Sequence, residues 1–242
     1  MYNGCFITGT DTDIGKTVIT AALFRAGLLQ GLKVAAVKPV QTGVPAFNTL
    51  TAAEDAAVYK SAIADQVPPL TDVRIEVFYR FSIPCSPHLS ARLEGKEIRV
   101  EEILNEIEKL QQDGYFALLE PAGGLYVPLN DNDANLDLIQ QTLLPVLLVF
   151  ANRIGCINHV LLSLSELCRR NIPVIGLISN CITEQSASGD FDVIRKDNIA
   201  VIEKFSGVPV LAEVPFFEKK DIAAWNTAAK ILAPVWERMN DH

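Results

Sequence analysis

No stretch of this chain is long enough to cross a membrane as a helix. The longest apolar run goes from Leu143 to Ala151 and has Pro145 inside it, well short of the roughly 20 residues a span needs. The opening residues, Met1-Tyr2-Asn3-Gly4-Cys5-Phe6-Ile7, lack the basic and apolar regions of an export signal. Lys/Arg clusters are also missing. With 21 basic against 29 acidic residues the net charge is −8, which speaks against binding nucleic acid through its phosphates. The cysteines, Cys5, Cys85, Cys156, Cys168 and Cys181, form no C-x-x-C pair, and His88, His159 and His242 do not group with them. Neither a zinc site nor a disulfide framework is expected. Reduced, mostly buried thiols in a cytoplasmic protein are. No linker, repeat or low-complexity tract divides the sequence, so one domain over 1–242 is expected.

What remains is ordinary globular material, 49% hydrophobic and 21% charged, enough for a sizeable core. Hydrophobic periodicity gives helices at Gly15–Gln30, Glu54–Ile63, Glu101–Gln112, Ile157–Arg169, Asp197–Phe205 and Asp221 to about Met239. Strands are expected at Phe6–Thr8, Val34–Val40, Ile75–Phe81, Phe116–Leu119, Val146–Ala151, Val174–Ser179 and Val208–Val214, with a break at Pro68-Pro69 and no assignment for Pro84–Gly95. Val146–Phe150 and Val174–Ile178 are continuous apolar runs. Such strands are covered on both faces, as in a parallel sheet between helices. The expected fold is an α/β sandwich of P-loop NTPase type, with a mostly parallel central sheet and its ligands beyond the carboxyl ends of the strands.

The first strand runs into Gly9-Thr10-Asp11-Thr12-Asp13-Ile14-Gly15-Lys16-Thr17, which opens a helix. That order is the setting a phosphate-binding loop requires. Gly15 lets the backbone approach a phosphate, and the helix start offers N–H groups to its oxygens. Lys16 supplies charge for the β/γ-phosphates, and the Thr17 hydroxyl suits Mg2+. The strict pattern puts glycine where Thr10 stands; here Gly9 precedes it, so the loop is a variant. Asp11 and Asp13 make it acidic, which points to an amine-bearing or cationic partner, or to the metal.

Other residues are ambiguous one by one. Lys38, in Lys38-Pro39-Val40-Gln41-Thr42-Gly43, is either a second cation for a phosphoryl group or carboxylate, or a lysine snorkelling from a sheet edge. Glu120, followed by Pro121-Ala122-Gly123-Gly124, is placed to bind Mg2+ or organise water. Asp55 alone reads as a charge favoured at a helix start. Gly155-Cys156-Ile157-Asn158-His159 opens a helix whose N–H groups can hold a carboxylate, though Asn158 and His159 read equally as capping and surface residues. Asn180 ends a strand, where its amide can read a base edge or simply sit in a turn.

Together these segments, with Ser86-Pro87-His88 and Glu213-Val214-Pro215, resemble the dethiobiotin synthetase family along the whole chain, down to the form of the P-loop. The resemblance implies an ATP-dependent cyclo-ligase of biotin synthesis acting on 7,8-diaminopelargonic acid and CO2, with Mg2+, as a cytoplasmic homodimer with no nucleic-acid or membrane partner. By position it implies catalytic roles for Lys38, Lys16 and Thr12. Thr17, Asp55 and Glu120 would hold Mg2+. Asp13, Ile14, Gly15, Lys16, Thr17, Val18, Asp55, Glu120, Asn180, Cys181, Pro215, Phe216 and Phe217 would line the nucleotide. Thr12, Lys38, Thr42, Gly123 and Gly124 would meet the substrate, and Cys156, Ile157 and Asn158 its carboxylate across the dimer interface. Two residues depart from the family: Pro121, where Gly is usual, and Cys181, where Asp is common. A partitioning-type ATPase of similar fold would carry a second lysine near the loop start, and Thr8–Thr12 has none. An amidase-type synthetase would carry a further glutaminase domain, and a regulatory domain of this type would not need Lys16, Lys38 and Glu120.

Overall fold

The computed structural model describes residues 2–44, 54–65, 73–184 and 191–240; the Pro68-Pro69 break lies outside them. Seven strands form one sheet: β1 (Gly4–Gly9), β2 (Val34–Gln41), β3 (Arg74–Arg80), β4 (Phe116–Leu119), β5 (Val146–Ala151), β6 (Val174–Asn180) and β7 (Val210–Val214). Their order is β3-β2-β4-β1-β5-β6-β7, and every pairing is parallel. The continuous apolar runs have the expected cause. In β5, Val146, Leu148 and Phe150 enter one core while Leu147, Val149 and Ala151 enter the other. In β1, Phe6 goes one way and Cys5 and Ile7 the other. Burying a large apolar side chain contributes about 1.5–3 kcal/mol, and the central strands do so on both faces.

Three helices pack on one face: α1 (Lys16–Leu29), α2 (Asp55–Ser61) and α8 (Ile222–Asn240). On the other are α4 (Val100–Gln112), α5 (Asn135–Thr142), α6 (Cys156–Arg169) and α7 (Asp192–Ser206). Helix α1 is buried nearly all round, because α8 covers the side the sheet does not. Gly27 permits that approach. A Cβ there would stand 2.6 Å from the Trp236 ring, whose Nε1–H donates to the Leu23 carbonyl at 3.1 Å.

Several expectations need correction. The unassigned Pro84–Gly95 contains α3 (Pro87–Leu93), started by Pro87, a residue suited to a first helical turn. Helix α5 was not expected at all. Helix α7 begins at Asp192 rather than Asp197, and β7 at Val210 rather than Val208. Only Cys5 and Cys156 of the thiols are buried; Cys85 and Cys181 are half-buried and Cys168 is exposed. All five are free. Among the described residues no helix is long and apolar enough to cross a membrane.

Candidate active site

The chain leaves β1 toward β2 and β3 on one side, and β5 toward β6 and β7 on the other. Where the winding direction changes, the loops beyond the strand ends part and leave a crevice. The loop after β1 lies there. Gly15 caps α1 with φ +89°, a left-handed conformation that glycine adopts without strain. A side chain at Gly15 would also strike the Asn180 amide, whose Nδ2 lies 2.1 Å from the Cβ position. Asn180, at the end of β6, donates from Nδ2 to the Ile14 carbonyl at 2.8 Å. It thereby ties the loop to the sheet. Lys16 folds back and donates to the Asp11 carbonyl at 2.7 Å.

Lys38 is not at a sheet edge, because β3 lies outside β2. Nor does it end its strand, which continues to Gln41. Its neighbour β4, however, stops at Leu119, paired with Val37. Lys38 is thus the first residue of β2 beyond that stop, facing Glu120, and it is buried. Its Nζ lies 2.6 Å from Asp55 Oδ2 and 3.1 Å from Glu120 Oε1. The snorkelling reading falls, and Asp55, at the first turn of α2, is more than a helix-dipole charge.

The Thr17 hydroxyl is 2.8 Å from both Asp55 Oδ1 and Glu120 Oε1. One hydroxyl has one proton to donate, so Thr17 cannot hold both carboxylates; Lys38 supplies the charge that keeps them together. Two carboxylates and a hydroxyl make an all-oxygen set. Such a set suits Mg2+, which takes one or two carboxylates and completes its octahedron with water and phosphate oxygens. The residues named for Mg2+ therefore fit it.

Charge follows from this packing. Burial pulls Lys16 down to about 8, outweighing the Glu120 carboxylate that pushes it back up. Burial would pull Lys38 down too, but Glu120 and Asp55 overrule it and raise its pKa. Lys38 stays a cation, while Lys16 is protonated below about pH 8 and loses its charge above it.

A cleft of about 790 Å3 opens over this cluster. Thr12, Asp13, Gly15, Lys16, Thr17, Val18, Lys38, Thr42, Asp55, Glu120 and Gly123 line it. A smaller pocket of about 210 Å3 adjoins it through Asp13, Gly15 and Val18, and is lined by Asn180, Cys181, Pro215, Phe216 and Phe217. Ile14 is buried beneath the loop, its side chain in the core and its carbonyl accepting from Asn180. Gly124 does not line the cleft but packs against the loop after β1, where a Cβ would meet the Gly9 carbonyl at 3.4 Å. The α6 start is not brought to the cleft of its own chain. Cys156 is buried against Asn152, Ile157 is half-buried and Asn158 is exposed. Gly155 caps that helix at φ +91°, with no side-chain cap.

Three residues escaped the sequence reading. Tyr59 donates to Glu120 Oε2 at 2.5 Å. Its signal was available: it stands four residues after Asp55, on the same helical face. Burial and the Glu120 and Asp55 charges raise its pKa well above the usual value, so it stays a donor. Glu54, fully buried, pairs with Arg80 at 2.6 Å. Asn135 Nδ2 donates to the Ala122 and Gly124 carbonyls at 2.8 and 2.9 Å, holding the loop after β4. No local pattern announces either.

A family model described as an AAA domain matches residues 3–222. The chain is 38% identical over 212 residues to a protein of Halalkalibacterium halodurans named ATP-dependent dethiobiotin synthetase BioD, covering 87% of this chain and 84% of that one. A Legionella pneumophila protein of the same name is 37% identical over 213 residues, covering 87% and 92%. Among solved structures it is similar to the MinD cell division protein of Aquifex aeolicus, with TM-score 0.59 and 13% identity over 98% of this chain and 97% of that one. A ParA family ATPase from Chlorobium tepidum is similar at TM-score 0.52 and 12% identity, covering 99% and 96%. At that identity the two structures establish the P-loop α/β fold and nothing finer.

Proposed function

The chain belongs to the ATP-dependent dethiobiotin synthetase family, as an ATP-dependent ligase of biotin biosynthesis, and we propose how its cleft closes the ureido ring. One amine of 7,8-diaminopelargonic acid attacks the carbon of CO2 and loses a proton, giving a carbamate. A carbamate oxygen attacks the γ-phosphorus of ATP, and ADP departs. The second amine attacks the carbon of the resulting carbamic–phosphoric anhydride. Its C–O bond breaks, phosphate leaves, and the second C–N bond completes the cyclic urea.

No enzyme nucleophile is required. The work is positioning the reacting groups and neutralising charge as it develops. Lys16 and the α1 N-terminus hold the phosphates. Lys38 leaves its carboxylate partners to bridge the carbamate and the transferring phosphoryl group. Thr12 and Thr42 meet the substrate nitrogens or the carbamate, and Gly123 and Gly124 shape the wall beside them. Thr17, Asp55 and Glu120 would hold Mg2+, which when bound supplies charge neutralisation at the phosphate oxygens. With Asn180 Nδ2 committed to Ile14, its Oδ1 is left to accept from the exocyclic amine of adenine. Cys181, Pro215, Phe216 and Phe217 flank the base.

The observation that carries this reading is the second buried lysine. Gripping ATP needs Lys16; Lys38, paired to Asp55 and Glu120, adds the cation that a carbamate oxyanion needs. The α6 start, turned away from its own cleft, supports a homodimer in which Cys156, Ile157 and Asn158 bind the substrate carboxylate of the partner's site.

The test is incubation with diaminopelargonic acid, 13C-bicarbonate, ATP and Mg2+, followed by mass spectrometry for labelled dethiobiotin. Wild type should form it and Lys38→Ala should not; undiminished product from Lys38→Ala would remove the role given to that lysine. Mixing Lys38→Ala with Asn158→Ala subunits should restore activity that neither variant has alone, and no recovery would overturn the shared site.

A further inference from the structure

The two oxygens of Glu120 have different partners. Oε1 faces Thr17 at 2.8 Å and Lys38 at 3.1 Å. Oε2 accepts from the Tyr59 hydroxyl at 2.5 Å. Both side chains are buried, so no water replaces the phenol if the carboxylate turns. A buried acceptor left unpaired is destabilising, and more so when it is charged. Tyr59 does not line the cleft; whatever it does for chemistry goes through Glu120.

The phenol is itself anchored. Helix α2 is fixed at its start by the Glu54–Arg80 pair at 2.6 Å. The Asp55 N–H also donates to Gln41 Oε1 at 3.3 Å. One short helix thus delivers Asp55 to the cation site and, one turn later, the hydroxyl that orients the other carboxylate.

We infer that Tyr59 is a positioning residue that holds Glu120 to one-oxygen ligation and so biases the site toward Mg2+ and against Ca2+. Ca2+ takes six to eight oxygens and accepts carboxylates through both atoms, whereas Mg2+ demands near-octahedral geometry. A carboxylate pinned by Oε2 offers what the smaller ion wants and withholds what the larger one uses. The inference rests on Thr17, Asp55 and Glu120 being the metal set, and its test separates the two.

Mg2+ and Ca2+ are titrated calorimetrically into the ADP complex of the full chain, for wild type, Tyr59→Phe and Glu120→Gln. Wild type should prefer Mg2+. Tyr59→Phe should weaken Mg2+ about 10-fold, the usual effect of losing a partner behind a ligand, and Ca2+ less, so that the preference narrows. Glu120→Gln should lose tight binding of both. If Glu120→Gln keeps its Mg2+ affinity, the metal set itself is wrong. If it loses that affinity while Tyr59→Phe leaves the Mg2+/Ca2+ ratio unchanged, the inference about Tyr59 fails alone. Thermal unfolding establishes that each variant is folded. Should Tyr59→Phe not fold, a crystal structure of wild type with Mg2+ and ADP decides. Ligation through Oε1, with Oε2 still on Tyr59, supports the inference; two-oxygen ligation or a released Tyr59 overturns it.

Discussion

At the phosphate end of the cleft, Lys16, Lys38, Glu120 and Tyr59 are buried, and Lys38, Asp55, Glu120 and Tyr59 are bonded to one another. At the end proposed for the base, Pro215 is exposed, Phe216 and Phe217 are half-buried, and buried Asn180 is hydrogen-bonded to the Ile14 carbonyl. The first end is an electrostatic device, whose members set each other's charge and orientation at low dielectric. The second is a smaller pocket with several apolar walls, among them Val18, Ile182, Phe216 and Phe217, which suits a planar ring. Chemistry should therefore fail at the first end, and affinity alone at the second.

The harshest trial of that contrast is Lys38→Met. It removes the one cation between two carboxylates and should lower kcat about 10^2–10^3-fold, as loss of a charge-stabilising donor does. Nucleotide affinity, measured by titration with ADP, should hold. A matching collapse in ADP affinity would mean that Lys38 grips the nucleotide rather than the reacting group. A folding check must accompany it, since breaking a buried pair costs about 3–5 kcal/mol.

A change of pH probes the same end without mutation. An anionic nucleotide selects protonated Lys16, whose pKa is about 8. Metal-free ADP affinity should be flat below that pH and fall above it, by up to about tenfold per pH unit. Lys38, raised rather than lowered, should add nothing in that window. An affinity constant from pH 7 to 10 would refute the assignment of Lys16 as the phosphate cation. At the base end, Asn180→Ala frees the loop after β1 from β6 and removes the acceptor for the base. One hydrogen bond of about 1 kcal/mol predicts a weakening of ADP of about fivefold, with kcat within about twofold. A larger fall in kcat than in affinity would erase the distinction between the ends.

The phosphate end was also the part most legible in the sequence. Gly15-Lys16-Thr17 carries its chemistry within three neighbouring residues, and strand runs such as Val146–Phe150 announce a sheet covered on both faces. The losses have physical causes. Helix α5 hides because Asn130–Asn135 is rich in turn-forming residues and the helix buries its apolar contacts in barely two turns. The start of helix α7, ahead of the expected Asp197, is hidden because Asp192–Lys196 is mostly polar. Lys38 and Asp55 could not be decided singly, because their meaning is a pairing across 17 residues of chain that only the sheet brings together. Tyr59 was readable as Asp55 plus one helical turn, once Asp55 was known to matter.

The smallest effect is expected at Pro121, where the resemblance leads one to expect Gly. Proline has no N–H and a fixed φ, so its place beside Glu120 invites the idea that it slows the enzyme. The structure argues otherwise. The loop after β4 is held by its carbonyls: Ala122 and Gly124 both accept from Asn135 Nδ2. Its bend is made at Gly123, with φ +71° and a Cβ position 2.6 Å from Val127. Neither needs a donor at residue 121, and the Glu120 N–H that precedes it is satisfied by the Val37 carbonyl at 2.8 Å. Pro121→Gly should therefore leave kcat within about twofold while lowering stability by about 0.4–1 kcal/mol, because the unfolded chain regains freedom. Steady-state kinetics and thermal unfolding of the one variant measure both. A tenfold gain in kcat would mean that an N–H at this position is wanted by the reacting groups, and would move the wall of the cleft from scaffold to catalyst.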